Sequence, residues 1–286
     1  MPALRRILIT GASSGIGRSL AAHYAAPGIE LVLLGRNAAR LAEIESLCRA
    51  KGAEVETVAV DVQDRAGMAS AVGAAFARAP LDLLVANAGV ATGLSPGQIL
   101  ESPDSVRATV AINVIGVFNT VEPAILPMCA RGRGQIAIVG SMAGVRGLPH
   151  SPAYSAAKGA VHLYAEGLRG VLTPKGVDVA LIVPGYVKTP MSERTIVKTP
   201  MSARTIVKTP GATRAESWQP GAVSAEKFAA IVADGLSRGK AVIAYPFYMF
   251  WVLRLAAWVP PRLVDRIMRL FPAVVPETRE TAREDA

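Results

Sequence analysis

The sequence is poor in cysteine. Its 286 residues include only Cys48 and Cys129, and both lie in segments with helical spacing. Two isolated thiols on helices argue against a secreted domain built on disulfides and are typical of reduced cysteines. The cysteine content therefore predicts a cytoplasmic protein.

Segments that would export or divide the chain are also lacking. The apolar run near the start covers only four residues before Gly11, which fits a strand and is too short for a secretion signal. No proline-rich or low-complexity linker separates the later segments. We therefore expect a single domain, with the dinucleotide-binding catalytic part over residues 1–245.

A basic stripe with stacking aromatics is a third missing feature. The formal net charge is +9, which favours anionic partners in general. No aromatic residues interleave with the basic ones in a stripe, so nucleic acid is not an expected partner. Anionic lipid or a phosphorylated cofactor explains the excess of Lys and Arg more simply, and no metal site is predicted.

What the sequence does contain is a regular alternation of strand-like and helical segments. The strand-like runs are continuous and apolar, as in parallel sheets covered on both faces. They cover residues 7–10, 30–34, 55–60, 81–86, 135–140, 177–183 and 241–245, and helical spacing marks 40–50, 66–78, 106–131 and 153–172. The pattern predicts an α/β fold with a doubly wound parallel sheet, a Rossmann-like three-layer sandwich.

A glycine turn with the spacing GxxxGxG separates the first strand-like run from a helical segment over residues 18–25. Glycine lets the backbone approach a pyrophosphate, and the free N–H groups at a helix start complement its charge. The expected contacts are Gly11, Ser13, Ser14, Gly15, Ile16 and Gly17. A glycine turn alone is common at strand–helix corners, so its meaning depends on residues further along.

Four polar residues downstream, Asn113, Ser141, Tyr154 and Lys158, fit hydride-transfer chemistry. Ser141 follows a strand-like run thirteen residues before Tyr154, and Lys158 comes four residues after Tyr154. On a helix Tyr154 and Lys158 share one face, where the ammonium is expected to lower the pKa of the phenol. Such a phenol can exchange a proton with a ketone or alcohol oxygen.

Six motifs in order make the chain resemble the short-chain dehydrogenase/reductase family over residues 7–189. They are TGASSGIG from Thr10, NAG from Asn87, Asn113, Ser141, Tyr154 with Lys158, and PGYVKT from Pro184. The resemblance implies that Asn113 holds a water in a proton relay, that Ser141 orients the carbonyl, and that Lys158 also binds the nicotinamide ribose. Further cofactor contacts are implied for Asp61, Val62, Asn87, Ala88, Gly89, Tyr154, Pro184, Gly185, Val187 and Thr189.

The choice of cofactor is argued from charge at the end of the second strand-like run. NAD-binding proteins of this fold place an acidic residue near this point for the ribose 2′-OH, whereas a cation accommodates a 2′-phosphate. Gly35 occupies the place of the acid, and Arg36 follows it with a guanidinium suited to phosphate. The sequence therefore favours NADP(H) over NAD(H). An Arg36 that stacks on the adenine or points into water is the alternative.

Residues 187–206 hold two copies of a decapeptide that differ at one position, and a partial third copy follows. The repeat lies within the expected substrate lid, residues 186–223, where extra length is tolerated because closure entropy grows slowly. Thr199 and Thr209 repeat Thr189, which we favour for the nicotinamide contact because it lies close to the PG pair. A neutral duplication is the preferred interpretation of the repeat.

The C-terminal extension, residues 246–272, is first apolar and aromatic and then amphipathic. Apolar side chains of residues 262–271 fall on one helical face, and three arginines lie opposite: Arg262, Arg266 and Arg269. A basic amphipathic helix with aromatics upstream fits a membrane surface contacted by residues 247–271. A cover for the substrate cleft, a dimer seam and a true span are the alternatives, and the run is short for a span. Residues 273–286 are predicted to form a disordered tail.

These features together predict an NADP(H)-dependent oxidoreductase for a hydrophobic, lipid-like substrate, cytoplasmic and peripherally attached to a membrane. A non-catalytic dinucleotide sensor or scaffold is the alternative class. The family resemblance implies a homodimer or homotetramer, paired through the helices that carry Asn113 and Tyr154. His150 either lines the substrate pocket or lies solvated on a loop.

Overall fold

The computed structural model describes residues 4–94, 98–193, 195–198, 221–268 and 273–276. Its strands are β1 (Arg6–Thr10), β2 (Glu30–Gly35), β3 (Glu54–Ala59), β4 (Leu83–Ala86), β5 (Gly134–Val139), β6 (Val177–Pro184), β7 (Val187–Lys188), β8 (Thr195–Lys198), β9 (Val223–Ser224), β10 (Val242–Tyr245) and β11 (Ala273–Pro276). Seven of them form one sheet in the order β10-β6-β5-β4-β1-β2-β3. Every neighbouring pair in this sheet is parallel.

The central strands are buried because helices cover both faces of the sheet. Every residue of β1 and β4 is buried, which explains why β4 and the middle of β1 are apolar without alternation. The strand order reverses direction at the boundary between β1 and β4. Ligands of open α/β sheets bind at the carboxyl ends of the strands beside such a reversal, so the turns after β1 and β4 mark the expected site.

The helices are α1 (Gly15–Tyr24), α2 (Ala38–Ala50), α3 (Arg65–Arg78), α4 (Pro103–Val110), α5 (Gly116–Arg131), α6 (Pro152–Leu172), α7 (Pro190–Glu193), α8 (Ala225–Ser237), α9 (Phe247–Leu255) and α10 (Pro261–Met268). One apolar cluster joins the sheet to α1, α2 and α8, and a second joins it to α3, α5 and α6. The predicted fold class, a doubly wound parallel sheet between two helical layers, is confirmed. The predicted domain boundaries stay predictions.

The helix predicted over residues 106–131 is interrupted. Between α4 and α5 the backbone forms a π-helical turn, Ala111–Ile115, which contains the buried Asn113. A Cβ at Gly116, directly after this turn, would lie 2.6 Å from Val62 Cγ2, so the close approach of the Val62 segment accompanies the irregularity. By length and composition alone Pro103–Arg131 could cross a membrane, but half of its most apolar window is buried, and α5 packs on α3 and the sheet.

The C-terminal extension lies partly on the core and partly exposed. Met249, Phe250 and Leu253 of α9 pack against the second apolar cluster, and Phe250 is only 5% exposed. The opposite face of α9 and the following turn expose large apolar side chains: Phe247, Tyr248, Trp251, Val252, Leu255 and Trp258. Arg254, at the edge of the packed face, pairs with Glu166 of α6 at 3.7 Å.

Parts of the predicted lid and tail are described. Strand β7 pairs with β9 in a small parallel sheet, and β8 pairs antiparallel with β11. Strand β11 is formed by the first four residues of the predicted tail. The remaining tail, 277–286, lies outside the described residues, as do Arg269 and the repeated threonines Thr199 and Thr209. Cys48 and Cys129 are free thiols on α2 and α5.

Candidate active site

The turns after β1 and β4 are held together by hydrogen bonds between two of the predicted motifs. The Thr10 hydroxyl accepts from the backbone N–H groups of Asn87 and Ala88, at 3.1 and 3.3 Å. The Asn87 side-chain amide donates to the carbonyls of Thr10 and Gly11, at 2.9 and 3.3 Å. Asn87 and Ala88 therefore fix the shape of the glycine turn. Both residues were predicted to contact the cofactor, but their hydrogen bonds to Thr10 and Gly11 were not predicted.

The glycine turn has no room for side chains. A Cβ at Gly17 would lie 2.3 Å from Gly11 O and 2.5 Å from Asn87 Nδ2. Gly11 and Gly15 have φ angles of 65° and 54°, which other L-residues rarely adopt. Helix α1 begins at Gly15, and within the described residues the side chain of its N-cap, Ser14, makes no capping hydrogen bond.

These features fit a dinucleotide. The first backbone N–H groups of α1 have no intrahelical acceptor and, in the part of the chain that the structure describes, make no hydrogen bond to the Ser14 side chain. They are therefore available to a pyrophosphate bound at the glycine turn. Ser13 and Ser14 lie in the turn, and Ile16 lies in the first turn of α1. Among the described residues, no group of three or more His, Cys, Asp or Glu side chains could hold a metal ion.

At the predicted adenosine end, two expected cofactor contacts pair with each other. Arg36 Nη1 lies 3.6 Å from Asp61 Oδ2, and both side chains are partly exposed. The backbone carbonyl of the adjacent Val62 accepts from Asn119 Nδ2 at 2.8 Å, which fixes the segment after β3. Arg36 is therefore held at the mouth of the site by a carboxylate. The sequence did not predict this pair.

The predicted catalytic side chains come together where β5 meets α6. Lys158 and Tyr154 lie on one face of α6, with the Lys158 ammonium 5.9 Å from the Tyr154 ring centre. Lys158 Nζ donates to the Val139 carbonyl at the end of β5, at 2.9 Å. Ser141 Oγ accepts from the Ala143 N–H at 3.2 Å, and a side-chain hydrogen bond joins Ser141 to Tyr154.

The expected pKa shift of Tyr154 is not found in this structure. Burial raises the pKa of the Tyr154 phenol, and the hydrogen bond from Ser141 only partly opposes this. The expectation that Lys158 lowers this pKa was wrong, because burial of the phenol penalises the phenolate. Burial also lowers the pKa of Lys158 to about 8. Tyr154 therefore carries its proton at neutral pH and can donate it.

Asn113 is fully buried and its side-chain amide is engaged by the loop after β4. Its Nδ2 donates to the carbonyls of Val90 and Thr109, at 2.9 and 3.0 Å, and its Oδ1 accepts from Val90 N at 3.2 Å. A Cβ at Gly89 would lie 2.7 Å from Asn113 Oδ1 and 3.5 Å from Lys158 Nζ. Asn113, Gly89 and Lys158 therefore converge, while the role of Asn113 in holding a water stays a prediction.

The predicted nicotinamide end is formed by the segment after β6. The Gly185 N–H donates to the Tyr245 carbonyl at 2.8 Å, which continues the sheet contact of Pro184 with β10. Val187 is buried in β7. Thr189 side-chain atoms would lie 3.4 and 3.5 Å from a Cβ at Gly15, so Thr189 lies against the glycine turn.

A cavity of about 630 Å³ borders the catalytic strand–helix junction. Its walls are mostly small or apolar and come from the loop after β5, the first turns of α6, and Asp265 of α10. Ala143 and Ser155 of this lining are close in sequence to Ser141 and Tyr154. His150 is not among the described residues that line this cavity; it is half-buried, and its carbonyl accepts from Leu94 N at 2.8 Å.

The sequence missed one polar residue at the site, His162. Its Nε2 accepts from the Ser141 N–H at 3.3 Å. The signal was available, because His162 follows Lys158 by the same four residues that separate Lys158 from Tyr154. All three side chains therefore share one face of α6.

Comparison with known proteins agrees with this geometry. The family model for short chain dehydrogenases matches residues 5–199. An uncharacterized oxidoreductase of Myxococcus xanthus is 32% identical over 266 residues, which cover 93% of this chain and 96% of that protein. A 3-dehydrosphinganine reductase of Arabidopsis thaliana is 34% identical over 196 residues, or 67% of this chain and 58% of that protein.

Solved structures show the same fold. A short chain dehydrogenase/reductase from Burkholderia phymatum in complex with NAD aligns with a TM-score of 0.74 at 25% identity, over 96% of this chain and 98% of that one. A short-chain dehydrogenase from Sphingobium yanoikuyae in complex with NADPH aligns at 0.70 and 24% identity, over 93% and 94%. The chain belongs to the short-chain dehydrogenase/reductase family and is an NAD(P)-dependent oxidoreductase acting on CH–OH or carbonyl groups.

Proposed function

We propose that this enzyme transfers a hydride between NADP(H) and a carbonyl or secondary alcohol on a hydrophobic, lipid-like substrate. The observation that carries the proposal is the cluster of Ser141, Tyr154 and Lys158 near a cavity whose lining includes Leu148, Pro149 and Pro152. The nicotinamide, when bound, supplies or accepts the hydride. All remaining steps are assigned to side chains of this chain.

In the reducing direction, Tyr154 donates its phenolic proton to the substrate oxygen. Burial keeps the pKa of this phenol above its ordinary value, so the proton is present at neutral pH. The Ser141 hydroxyl holds the substrate oxygen within reach of Tyr154. Lys158, with a pKa of about 8, is mostly charged at pH 7 and favours the phenolate that forms as the proton leaves.

The preference for NADP(H) is supported by charge at the adenosine end. Gly35 leaves no acidic side chain for a ribose 2′-OH, and Arg36 follows it in the chain. A 2′-phosphate offers Arg36 more charge and more acceptor oxygens than the Asp61 carboxylate, so it can replace Asp61 as a partner. The solved relatives include an NADPH complex and an NAD complex, so this proposal depends on Arg36.

The substrate class is supported by the cavity and by one relative. Leu148, Pro149 and Pro152 give the cavity apolar walls, which suit a hydrocarbon group attached to the reacting carbon. A relative that is 34% identical over 67% of this chain is named as a 3-dehydrosphinganine reductase. A long-chain ketone is therefore the substrate to test first.

We also propose that the exposed face of α9 contacts an anionic membrane surface, which would place a cytoplasmic enzyme next to lipid-like substrates. Phe247, Trp251 and Leu255 lie on one face of α9, opposite the packed face. Apart from Arg254, α9 is apolar on both faces but is covered on only one, so its exposed face favours a further apolar partner. Trp258 is 89% exposed, and tryptophan favours the membrane interface. The exposed Arg262 and Arg266 of α10 suit anionic headgroups.

A homodimer or homotetramer is proposed from a second exposed surface. Ile115 of the π-helical turn, Leu126 of α5, and Leu163 and Val171 of α6 are exposed apolar residues. They lie on the two helices expected to pair in the family. The oligomer and the membrane contact therefore use different surfaces.

The function is tested by mixing the purified protein with NADPH and a series of ketones of increasing chain length. We expect NADPH oxidation whose kcat/KM rises with chain length, by roughly a factor of four per added CH₂ group that becomes buried. NADH in place of NADPH should give a lower kcat/KM. NADPH binding without turnover of any ketone or alcohol would instead support a dinucleotide sensor or scaffold.

A further inference from the structure

His162 lies on α6 inside the protein, next to the catalytic side chains. It is 8% exposed and follows Tyr154 and Lys158 on the same helical face. Its ring therefore extends the row of side chains that α6 directs towards the end of β5.

The ring meets the backbone of Ser141. Gly140, directly after β5, donates its N–H to the Ile182 carbonyl of β6 at 2.8 Å, which continues the hydrogen bonding between the two strands by one residue. The next N–H, that of Ser141, donates to His162 Nε2 at 3.3 Å. His162 thus supplies the acceptor for the partly buried Ser141 N–H. Without the imidazole this N–H would lack a hydrogen-bond acceptor.

Two glycines make room for this contact. A Cβ at Gly140 would lie 2.3 Å from His162 Nε2, and a Cβ at Gly144 would lie 2.9 Å from His162 Cε1. A Cβ at Gly144 would also lie 2.7 Å from the Lys158 backbone. The imidazole therefore occupies a slot between α6 and the two glycines on either side of Ser141.

The protonation state of His162 suits an acceptor. Burial, and after it the positive charges of Lys158 and Arg254, lower the pKa of His162 to about 4. The ring is therefore neutral at physiological pH. Since Nε2 accepts from Ser141, its single proton lies on Nδ1.

Ser141 is held at several atoms before any substrate arrives. Lys158 Nζ holds the carbonyl of Val139 two residues earlier, His162 holds the Ser141 N–H, and the Ala143 N–H holds Ser141 Oγ. We propose that His162 is a positioning residue for catalysis, which fixes the Ser141 backbone so that the Ser141 hydroxyl meets both Tyr154 and the substrate oxygen. Its kinetic consequence rests on the proposed function.

A double-mutant cycle tests this coupling. His162→Leu removes the acceptor and should lower kcat about tenfold in the otherwise unchanged enzyme, since small misplacements of a catalytic group have effects of this size. In a Ser141→Ala background the same substitution should lower kcat less than about twofold. His162→Gln, which keeps an acceptor, should recover most of the loss. The Kd for NADPH should stay unchanged in all variants.

Val161→Ala is the matched control, because Val161 is a fully buried neighbour on α6 that does not bind Ser141. It should lower the melting temperature without lowering kcat at a temperature where the protein is folded. Equal losses of kcat from His162→Leu in both backgrounds would overturn the proposal. Should the leucine variant not fold, Gly140→Ala displaces the ring from the other side and should give the same kinetic pattern.

Amide hydrogen exchange gives a readout that does not need turnover. Exchange at Ser141 should be about tenfold faster in His162→Leu than in the unchanged protein, because the bonded donor is released. An unchanged exchange rate would contradict the contact itself. If the unchanged protein reduces no ketone, the proposed function fails, and the exchange measurement still decides whether His162 holds Ser141.

Discussion

The cofactor-binding half and the C-terminal extension are built on different principles. In the first, polar residues of the motifs have specific hydrogen-bond partners: the Thr10 hydroxyl accepts from Asn87, the Asn113 amide donates to Val90, and the Lys158 ammonium donates to Val139. In the extension, α9 packs Phe250 against the core but leaves Trp251 and its neighbours exposed.

The difference shows what a sequence pattern can determine. A Cβ added at Gly17 would lie 2.3 Å from the Gly11 carbonyl oxygen. A glycine packed this closely is compatible with one local geometry. An apolar helix is compatible with a core, a second subunit or a membrane, because the hydrophobic effect is non-directional. Substitutions in the first region should therefore change chemistry sharply, and those in the second should change location gradually.

The largest effect is expected from Tyr154→Phe. The change removes only the transferable proton and should lower kcat by at least about a hundredfold, the usual scale of general acid–base catalysis. Binding of NADPH, measured by fluorescence titration, should be retained. Turnover close to that of the unchanged enzyme would show that another group supplies the proton.

A smaller effect is expected from removing charge in the extension. Arg262→Gln combined with Arg266→Gln should weaken binding to vesicles with anionic lipid by about 2 kcal/mol, at roughly 1 kcal/mol per charge. Flotation at low and high salt measures this, and the difference should shrink as salt rises. Activity on a water-soluble ketone should not change.

Arg49→Gln combined with Arg78→Gln is the matched control, because both arginines are exposed and lie outside the extension. This variant should bind vesicles like the unchanged protein. If the extension variant also floats normally but dissociates into monomers, α9 and α10 form a subunit interface instead.

Arg36→Asp tests the adenosine end of the cofactor half. It removes the phosphate partner and supplies a carboxylate for a ribose 2′-OH, beside the existing Asp61. The ratio of kcat/KM with NADPH to that with NADH should fall at least about tenfold, which corresponds to about 1.4 kcal/mol. An unmoved ratio would mean that Arg36 does not contact the 2′-phosphate.

The smallest effect concerns the buried Lys158. Its pKa is lowered from 10.5 to about 8 in the folded protein, so between these values the unfolded chain holds more protons. Stability contributed by Lys158 therefore rises with pH in this window, by about 1 kcal/mol between pH 8 and pH 9. Denaturant unfolding of the cofactor-free protein should show this rise relative to Lys158→Met. Parallel pH dependence of the two proteins would contradict the assigned burial.

Much of the fold could be predicted from the sequence because its signals are local. Most of the seven strands are continuous apolar runs, the edge strand β3 being the mixed one, and each is found within a residue or two of its expected position. Ser141, Tyr154 and Lys158 belong to one strand–turn–helix unit, so their spacing along the chain already brings them together. The glycine turn likewise follows from the short segment between β1 and α1.

Other features depend on contacts between distant segments and could not be predicted. The π-helical turn at Asn113 accompanies the approach of Val62, and the Arg36–Asp61 pair joins the ends of two strands. The pKa of Tyr154 is raised, whereas the sequence predicted that it is lowered. The direction of the shift depends mainly on burial, which follows from the tertiary structure. The sequence of α9 alone does not determine what covers its exposed apolar face.

The central claim is hydride transfer between a nicotinamide cofactor and a hydrophobic carbonyl compound. It is tested most directly with NADPH deuterated at the transferable position, a long-chain ketone and the purified enzyme, followed by mass spectrometry of the product. The account predicts an alcohol with a single deuterium on the carbinol carbon, formed by the unchanged enzyme and nearly absent with Tyr154→Phe. A product without deuterium, or no alcohol from any ketone while NADPH still binds, would contradict it.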